Sequence, residues 1–265
     1  MVNGVRLHYT RSGGGGPPVV LAHGLTDSGA CWGRLAGALE GDFDLVLYDA
    51  RGHGRSAAPE RGYRPEDHVV DLLGLLQELG LEKPALIGHS MGAANVALAA
   101  AAHPELASCL VLEDPPWQDH YPDDVAAGLE EWQQEIVAAK ARSLEEIIGP
   151  ARAEHPEWAE VEWLPWAEAK RRASPRVFDW VAPGPALDGW REVVSAITCP
   201  LLLLTADTAL DALVTPEVAG EVVVRCPRAE VVRIAGAGHS IRRERFEPYR
   251  RAVSAFLRSR YLGAV

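Results

Sequence analysis

The stretch Ala85-Leu86-Ile87-Gly88-His89-Ser90-Met91-Gly92-Ala93 joins a short apolar run to an alanine-rich run that continues to Ala102. A brief apolar run bounded by turn residues reads as a buried strand, and an alanine-rich run reads as a helix. Between them, Gly88-x-Ser90-x-Gly92 turns the chain from strand to helix so abruptly that the serine backbone is strained and a Cβ at either glycine would meet neighbouring backbone. The turn leaves the Ser90 hydroxyl bare above the end of a strand. The competing description is an ordinary serine in a strand-to-helix connection. The strand before it and the helix after it favour the sharp elbow.

Outward from this point, short apolar runs recur at residues 19–22, 44–48, 109–112, 201–205 and 231–234. Helical patterns separate several of them, most clearly at Val69, Val70, Leu72, Leu73, Leu75, Leu76 and Leu79, where apolar residues repeat at spacings of three and four. Alternating strands and helices predict an α/β fold whose parallel sheet is covered on both faces. Asn3-Gly4 is a type I′ hairpin dipeptide, and the alternation over residues 6–9 predicts an antiparallel edge strand after it. Gly13 to Gly16 form a flexible turn. No Lys-Ser/Thr and no helix start follow them, as a phosphate loop would need.

The rhythm changes between residues 117 and 190. Strand runs vanish, acidic helical sequence takes over, and Pro156, Pro165, Pro175, Pro183 and Pro185 interrupt it; seven of the eight tryptophans fall here. This pattern predicts a core domain over residues 1–116 and 191–265, with a helical cap, or lid, over 117–190. The tryptophans could staple the helical layer onto the sheet. Their number in one segment leads to the expectation that Trp117, Trp163, Trp166 and Trp180 face an apolar ligand.

Composition excludes several classes. With 265 residues, 48% apolar and 24% charged, the chain is neither disordered, collagenous nor a coiled coil, and it can bury a core without cross-links. Cys31, Cys109, Cys199 and Cys226 are far apart and unpaired in pattern, as expected of reduced thiols in a cytoplasmic protein. A net charge of −11 opposes nucleic-acid binding. No apolar stretch approaches the ~20 residues of a bilayer span, so no membrane partner is expected. A homodimer is admitted.

A serine hydroxyl needs a base held by an acid. His239, in Gly236-Ala237-Gly238-His239-Ser240 between the last strand run and the terminal helix, is the candidate base. Two further motifs accompany the elbow: His23-Gly24-Leu25-Thr26 after the first buried strand, and Asp49-Ala50-Arg51-Gly52-His53-Gly54-Arg55-Ser56 after the next. With these motifs in order and the late histidine, the chain resembles the α/β-hydrolase superfamily. The resemblance implies a mostly parallel eight-stranded sheet flanked by helices, an oxyanion hole from the backbone N–H groups of Leu25 and Met91, and scaffold roles for Asp49 and Arg51. The acid stays open among several candidates. Asp207 directly follows the strand run 201–205 and is placed first. Asp114 follows the run 109–112, where some relatives carry the acid, and is second. Asp211, counted back from the helix start Thr215-Pro216, is third, and Glu113 comes last.

The expected function is that of a serine hydrolase cleaving a carboxylic ester or lactone of a bulky apolar small molecule through an acyl-enzyme. Serine at the elbow argues against haloalkane dehalogenases and epoxide hydrolases, which place an aspartate there. The alternatives are a cofactor-free haloperoxidase or perhydrolase and a small-molecule receptor with little turnover. Neither cofactor nor metal is expected, since no H-E-x-x-H or similar spacing occurs.

Overall fold

The computed structural model describes residues 1–118, 125–181 and 189–264. Its sheet contains β1 (His8–Ser12), β2 (Pro18–Ala22), β3 (Asp44–Asp49), β4 (Ala85–His89), β5 (Cys109–Glu113), β6 (Leu201–Thr205) and β7 (Ala229–Arg233). The strands lie in the order β1-β3-β2-β4-β5-β6-β7, with β1 antiparallel to β3 and the other neighbours parallel. Seven strands among the described residues replace the eight that the resemblance implied. The Asn3-Gly4 turn forms, both residues being left-handed at φ 49° and 73°. The pairing across it is a single antiparallel Val2–Val5 bridge. The edge strand accordingly starts at His8 rather than at residue 6.

Period-two alternation sorts the strand residues between two cores. Val20, Val46, Leu86, Leu110, Leu112, Leu201 and Leu203 face one side, packed by α2 (Pro65–Glu78), α3 (Met91–Ala102), α7 (Trp190–Ala196) and α8 (Pro216–Arg225). Val19, Leu21, Leu45, Leu47, Ile87, Val111, Leu202 and Leu204 face the other, under α1 (Gly33–Leu39) and α9 (Phe246–Arg260). This two-sided cover is why the central strands read as unbroken apolar runs.

The chain leaves β2 for β3 on one side and returns to β4 on the other, so the connections diverge above the C-terminal ends of β2 and β4. Open α/β sheets bind ligands at such a divergence. The loop after β2 carries Gly24 to Asp27, and the turn after β4 carries Ser90. Between β5 and β6 come α4 (Val125–Ala139), α5 (Leu144–Glu154) and α6 (Glu160–Arg172), which have a small core of their own around Ile148, Trp158, Trp163 and Ala167. Among the described residues no helix is long and apolar enough to cross a membrane.

Candidate active site

Ser90 adopts φ 51° and ψ −118°, a region that a residue with a Cβ enters only under strain. The conformation is over-determined by its surroundings. Ser90 N–H donates to Glu113 O at 2.9 Å, and its own carbonyl accepts from Ala94 N at 3.1 Å. A Cβ on Gly88 would lie 2.5 Å from Ala93 backbone, and one on Gly92 would lie 2.2 Å from Ala22 O. Neither glycine can become alanine without moving a strand or a helix. Met91 opens α3, and the first N–H groups of a helix have no intrahelical acceptor. Met91 follows Ser90 directly, and Leu25, in the loop after β2, lines the same cavity as Ser90.

His239 and Ser90 line one cavity of about 300 Å³. The His239 Nδ1 lies 2.7 Å from Asp114 Oδ2. A carboxylate only accepts, so Nδ1 carries the proton, and Nε2 is left as the basic nitrogen. Asp114 is fully buried at left-handed φ 43°. Its Oδ2 also accepts from Leu213 N at 2.8 Å, and its Oδ1 accepts from Val214 N at 2.9 Å. Three donors thus fix this carboxylate and keep it aimed at the ring.

Asp207, placed first among the acids from the sequence, is occupied elsewhere. Its Oδ2 accepts from Gly236 N at 2.7 Å and its Oδ1 pairs with Arg233. The Gly236 N–H, with help from Arg233, holds this carboxyl below its ordinary value. Asp207 thus pins the start of the loop that carries His239, and the bond to the ring belongs to Asp114. Asp211 stands exposed at the cavity rim. Glu113 is buried and accepts from Arg242 N at 3.0 Å and Arg242 Nη1 at 3.1 Å.

Two residues that the sequence did not single out hold the same loop. Glu244 accepts from Gly238 N and Ser240 N, the amides on either side of His239. His89 Nε2 donates to His239 O at 3.0 Å. Burial lowers the His89 pKa well below its ordinary value, so the ring is neutral, and its Nδ1 has no partner among the described residues. The Glu244 contact could have been sought five residues beyond the histidine, but no spacing rule points to it.

The tryptophans divide. Trp166 lines the cavity, together with Trp132 and Trp158, which were not singled out. Trp117 stacks on Trp190 with centroids 5.7 Å apart inside the core beside the sheet. Trp180 is buried in the same core and donates Nε1–H to Asn95 at 2.9 Å. Trp163 stacks beneath Trp158 at 4.9 Å, one layer away from the cavity. These three are packing residues.

Beneath the cavity lies a buried ionic cluster. Asp27 Oδ2 accepts from Arg242 and Arg243, each at 2.9 Å. Burial disfavours the Asp27 charge, but Arg243, Lys170 and Arg242 outweigh it and hold the carboxyl well below its usual range. Arg242 lies 4.3 Å over the Trp32 ring, and Arg243 approaches Glu162 at 3.7 Å. The cluster ties the loop after β2, the end of β5, the segment after His239 and α6 into one unit. Among the described residues no group of three or more His, Cys, Asp or Glu side chains could hold a metal ion.

Comparison with known proteins agrees with this geometry. The profile of the alpha/beta hydrolase fold matches residues 17–242. The chain is similar to the N-formylmaleamate deformylase of Pseudomonas putida, 33% identical over 56% of this chain and 65% of that protein. It is also similar to the 2-(acetamidomethylene)succinate hydrolase of Mesorhizobium japonicum, 38% identical over 39% of this chain and 37% of that protein. These matches thus span less than two thirds of either relative. The crystal structure of an N-formylmaleamic acid deformylase from Pseudomonas putida superposes with TM-score 0.80 at 26% identity, covering 95% of this chain and 97% of that one. A strained serine on a strand-to-helix elbow, a histidine bonded to a buried aspartate above the same sheet edge, and a profile match over most of the length lead to one conclusion: the chain belongs to the alpha/beta hydrolase fold family.

Proposed function

We propose that the protein is a serine hydrolase that cleaves a carboxylic ester or lactone through an acyl-enzyme. The carrying observation is the 2.7 Å contact of His239 Nδ1 with Asp114, on a ring that shares its cavity with the strained Ser90. His239 Nε2 accepts the proton of Ser90 Oγ as the hydroxyl attacks the acyl carbon. The Asp114 carboxylate stabilises the imidazolium that forms. The N–H groups of Leu25 and Met91 receive the negative charge that develops on the carbonyl oxygen; one such donor is worth ~10² to 10³ in rate. His239 then gives its proton to the leaving oxygen. Water, deprotonated by the same nitrogen, releases the acid.

A cavity of about 300 Å³ favours a compact substrate over the bulky one first expected, since it stands at the small end of ligand pockets. Residues 117–190 act as a cap in this proposal, contributing Trp132, Trp158 and Trp166 to the walls. The likeness to deformylases, whose names describe removal of a formyl group from nitrogen, favours a second reading in which the leaving atom is an amide nitrogen. The same residues serve both, because His239 protonates either leaving group.

The test is labelling by a fluorophosphonate probe, with peptide mapping, alongside p-nitrophenyl acetate turnover by wild type and Ser90→Ala. Modification of Ser90 with turnover lost in the variant is expected. Labelling at another serine, or undiminished turnover in Ser90→Ala, removes the mechanism.

A further inference from the structure

Lys170 brings a charge into the cavity that the hydrolytic chemistry does not use. It extends from α6, lines the cavity that holds Ser90, and its side chain is 14% exposed. Its hydrogen bonds go to neutral partners: Thr26 Oγ1, and Thr26 O at 3.3 Å. The nearest carboxylate, Asp27, stands 3.9 Å away, beyond hydrogen-bond reach, and its Oδ2 is already taken by Arg242 and Arg243. Its only ion pair among the described residues is the long contact with Asp27 Oδ1, a carboxylate shared with two arginines, so a buried ammonium placed here gains from an added anion.

Arg243 makes a second cationic wall. It lines the same cavity, its side chain is 3% exposed, and its Nε has no hydrogen-bond partner among the described residues. Each cation lies over an indole that also lines the cavity: Lys170 Nζ is 5.2 Å from the Trp166 centroid, and Arg243 Cζ is 4.9 Å from that of Trp158.

The acids of the cavity do not balance these cations. Glu244 spends both oxygens on the amides beside His239, and Asp211 is exposed at the rim. In the buried cluster, Lys170, Arg242 and Arg243 meet Asp27, Glu113 and Glu162. The members of the cluster that line the cavity are Lys170, Arg243 and Asp27, two cations against one carboxylate.

We propose that Lys170 and Arg243 form a carboxylate subsite, so that the substrate is a short acyl compound with a free carboxylate at the end away from the leaving group. Lys170 grips Thr26, the residue next to Leu25. An anion on Lys170 therefore lies in the same cavity as Ser90 and the Leu25 amide, which places the carboxylate a short chain away from the reacting carbonyl. This rests on the serine-hydrolase proposal above and adds the substrate class to it. Trp158 and Trp166 give the short chain between the carbonyl and the carboxylate flat apolar walls.

The test compares monomethyl succinate with methyl 4-methylpentanoate, a neutral ester of the same shape, by methanol release. Wild type is expected to favour the anionic ester at least tenfold in kcat/KM. In Lys170→Met this ratio falls at least tenfold, while Lys170→Arg keeps it within threefold. A wild-type ratio near one, or a ratio unchanged in a folded Lys170→Met protein, overturns the subsite. Failure of the underlying chemistry is distinguishable, because wild type would then release methanol from neither ester and escape the fluorophosphonate. In that case tryptophan fluorescence titration with succinamate decides. Binding at least tenfold weaker in Lys170→Met than in wild type supports the subsite, and equal or absent binding overturns it.

Discussion

Replacing Asp114 by asparagine tests the reaction centre with the smallest change of shape. The carboxylate accepts three hydrogen bonds, from Leu213 N at 2.8 Å, Val214 N at 2.9 Å and His239 Nδ1 at 2.7 Å. An amide has one acceptor oxygen, so either orientation turns an NH₂ group toward a backbone N–H. With nitrogen in the Oδ2 position, the amide donates to His239, the ring must accept at Nδ1, and the proton moves to Nε2. No base then remains for Ser90. With nitrogen in the Oδ1 position, the tautomer survives, but the negative charge that stabilises the imidazolium is gone and Val214 N–H faces a donor. The first arrangement costs ~10⁴ in kcat, about 5.5 kcal/mol of barrier, by analogy with the buried acid of serine proteases. We expect kcat for p-nitrophenyl acetate to fall by about 10⁴, and by no less than about 10². The comparator is Asp207→Asn, whose parent carboxylate bonds Gly236 N and Arg233; its kcat should stay within a factor of about three. Near-wild-type turnover in Asp114→Asn, or a loss confined to Asp207→Asn, would refute the assignment.

Two more outcomes follow from buried charge. Arg242 is 3% exposed and bonds both Glu113 and Asp27, so Arg242→Met strands the buried Glu113 carboxylate and leaves Asp27 to Arg243 and Lys170, and should cost about 3 to 5 kcal/mol in urea unfolding; a loss under about 1 kcal/mol would show that the cluster is not ionised as drawn. Burial lowers the pKa of His23, His53, His68 and His89, that of His53 to about 4. These rings stay neutral in the fold while the unfolded chain takes up protons below about pH 6.5, so stability is lost on acidification through that value. The slope is at most about 1.4 kcal/mol per pH unit for each ring, and His53 alone accounts for something of the order of 3 kcal/mol. Urea midpoints that are flat between pH 6.5 and pH 4.5 would contradict this.

Much of the fold was legible because its signals are local. The parallel strands β2 to β6, buried on both faces, appear as short apolar runs and lie within a residue or so of the runs that predicted them. The elbow was legible for the same reason: Gly88 and Gly92 answer to steric limits set by residues close in the chain and by the neighbouring strand. The tryptophans show the opposite case. Nothing in the spacing of Trp163 and Trp166 says that one stacks under Trp158 while the other meets the cavity, because that depends on how α5 and α6 roll against the sheet.

The choice of acid belongs to the same class. Asp207 and Asp114 each follow a buried strand, on β6 and β5, which are neighbours in the sheet. What separates them is the loop of His239, which arrives from far along the chain, and the Leu213 and Val214 amides, which arrive from 99 and 100 residues beyond Asp114. The sequence by itself determined the layered sheet, the serine on its bend and the histidine near the end, since steric and hydrophobic rules act over a few residues. Only the tertiary structure decided which carboxylate the imidazole meets and that Lys170 carries its charge into the cavity, since ionic contacts are set by where distant segments converge in space.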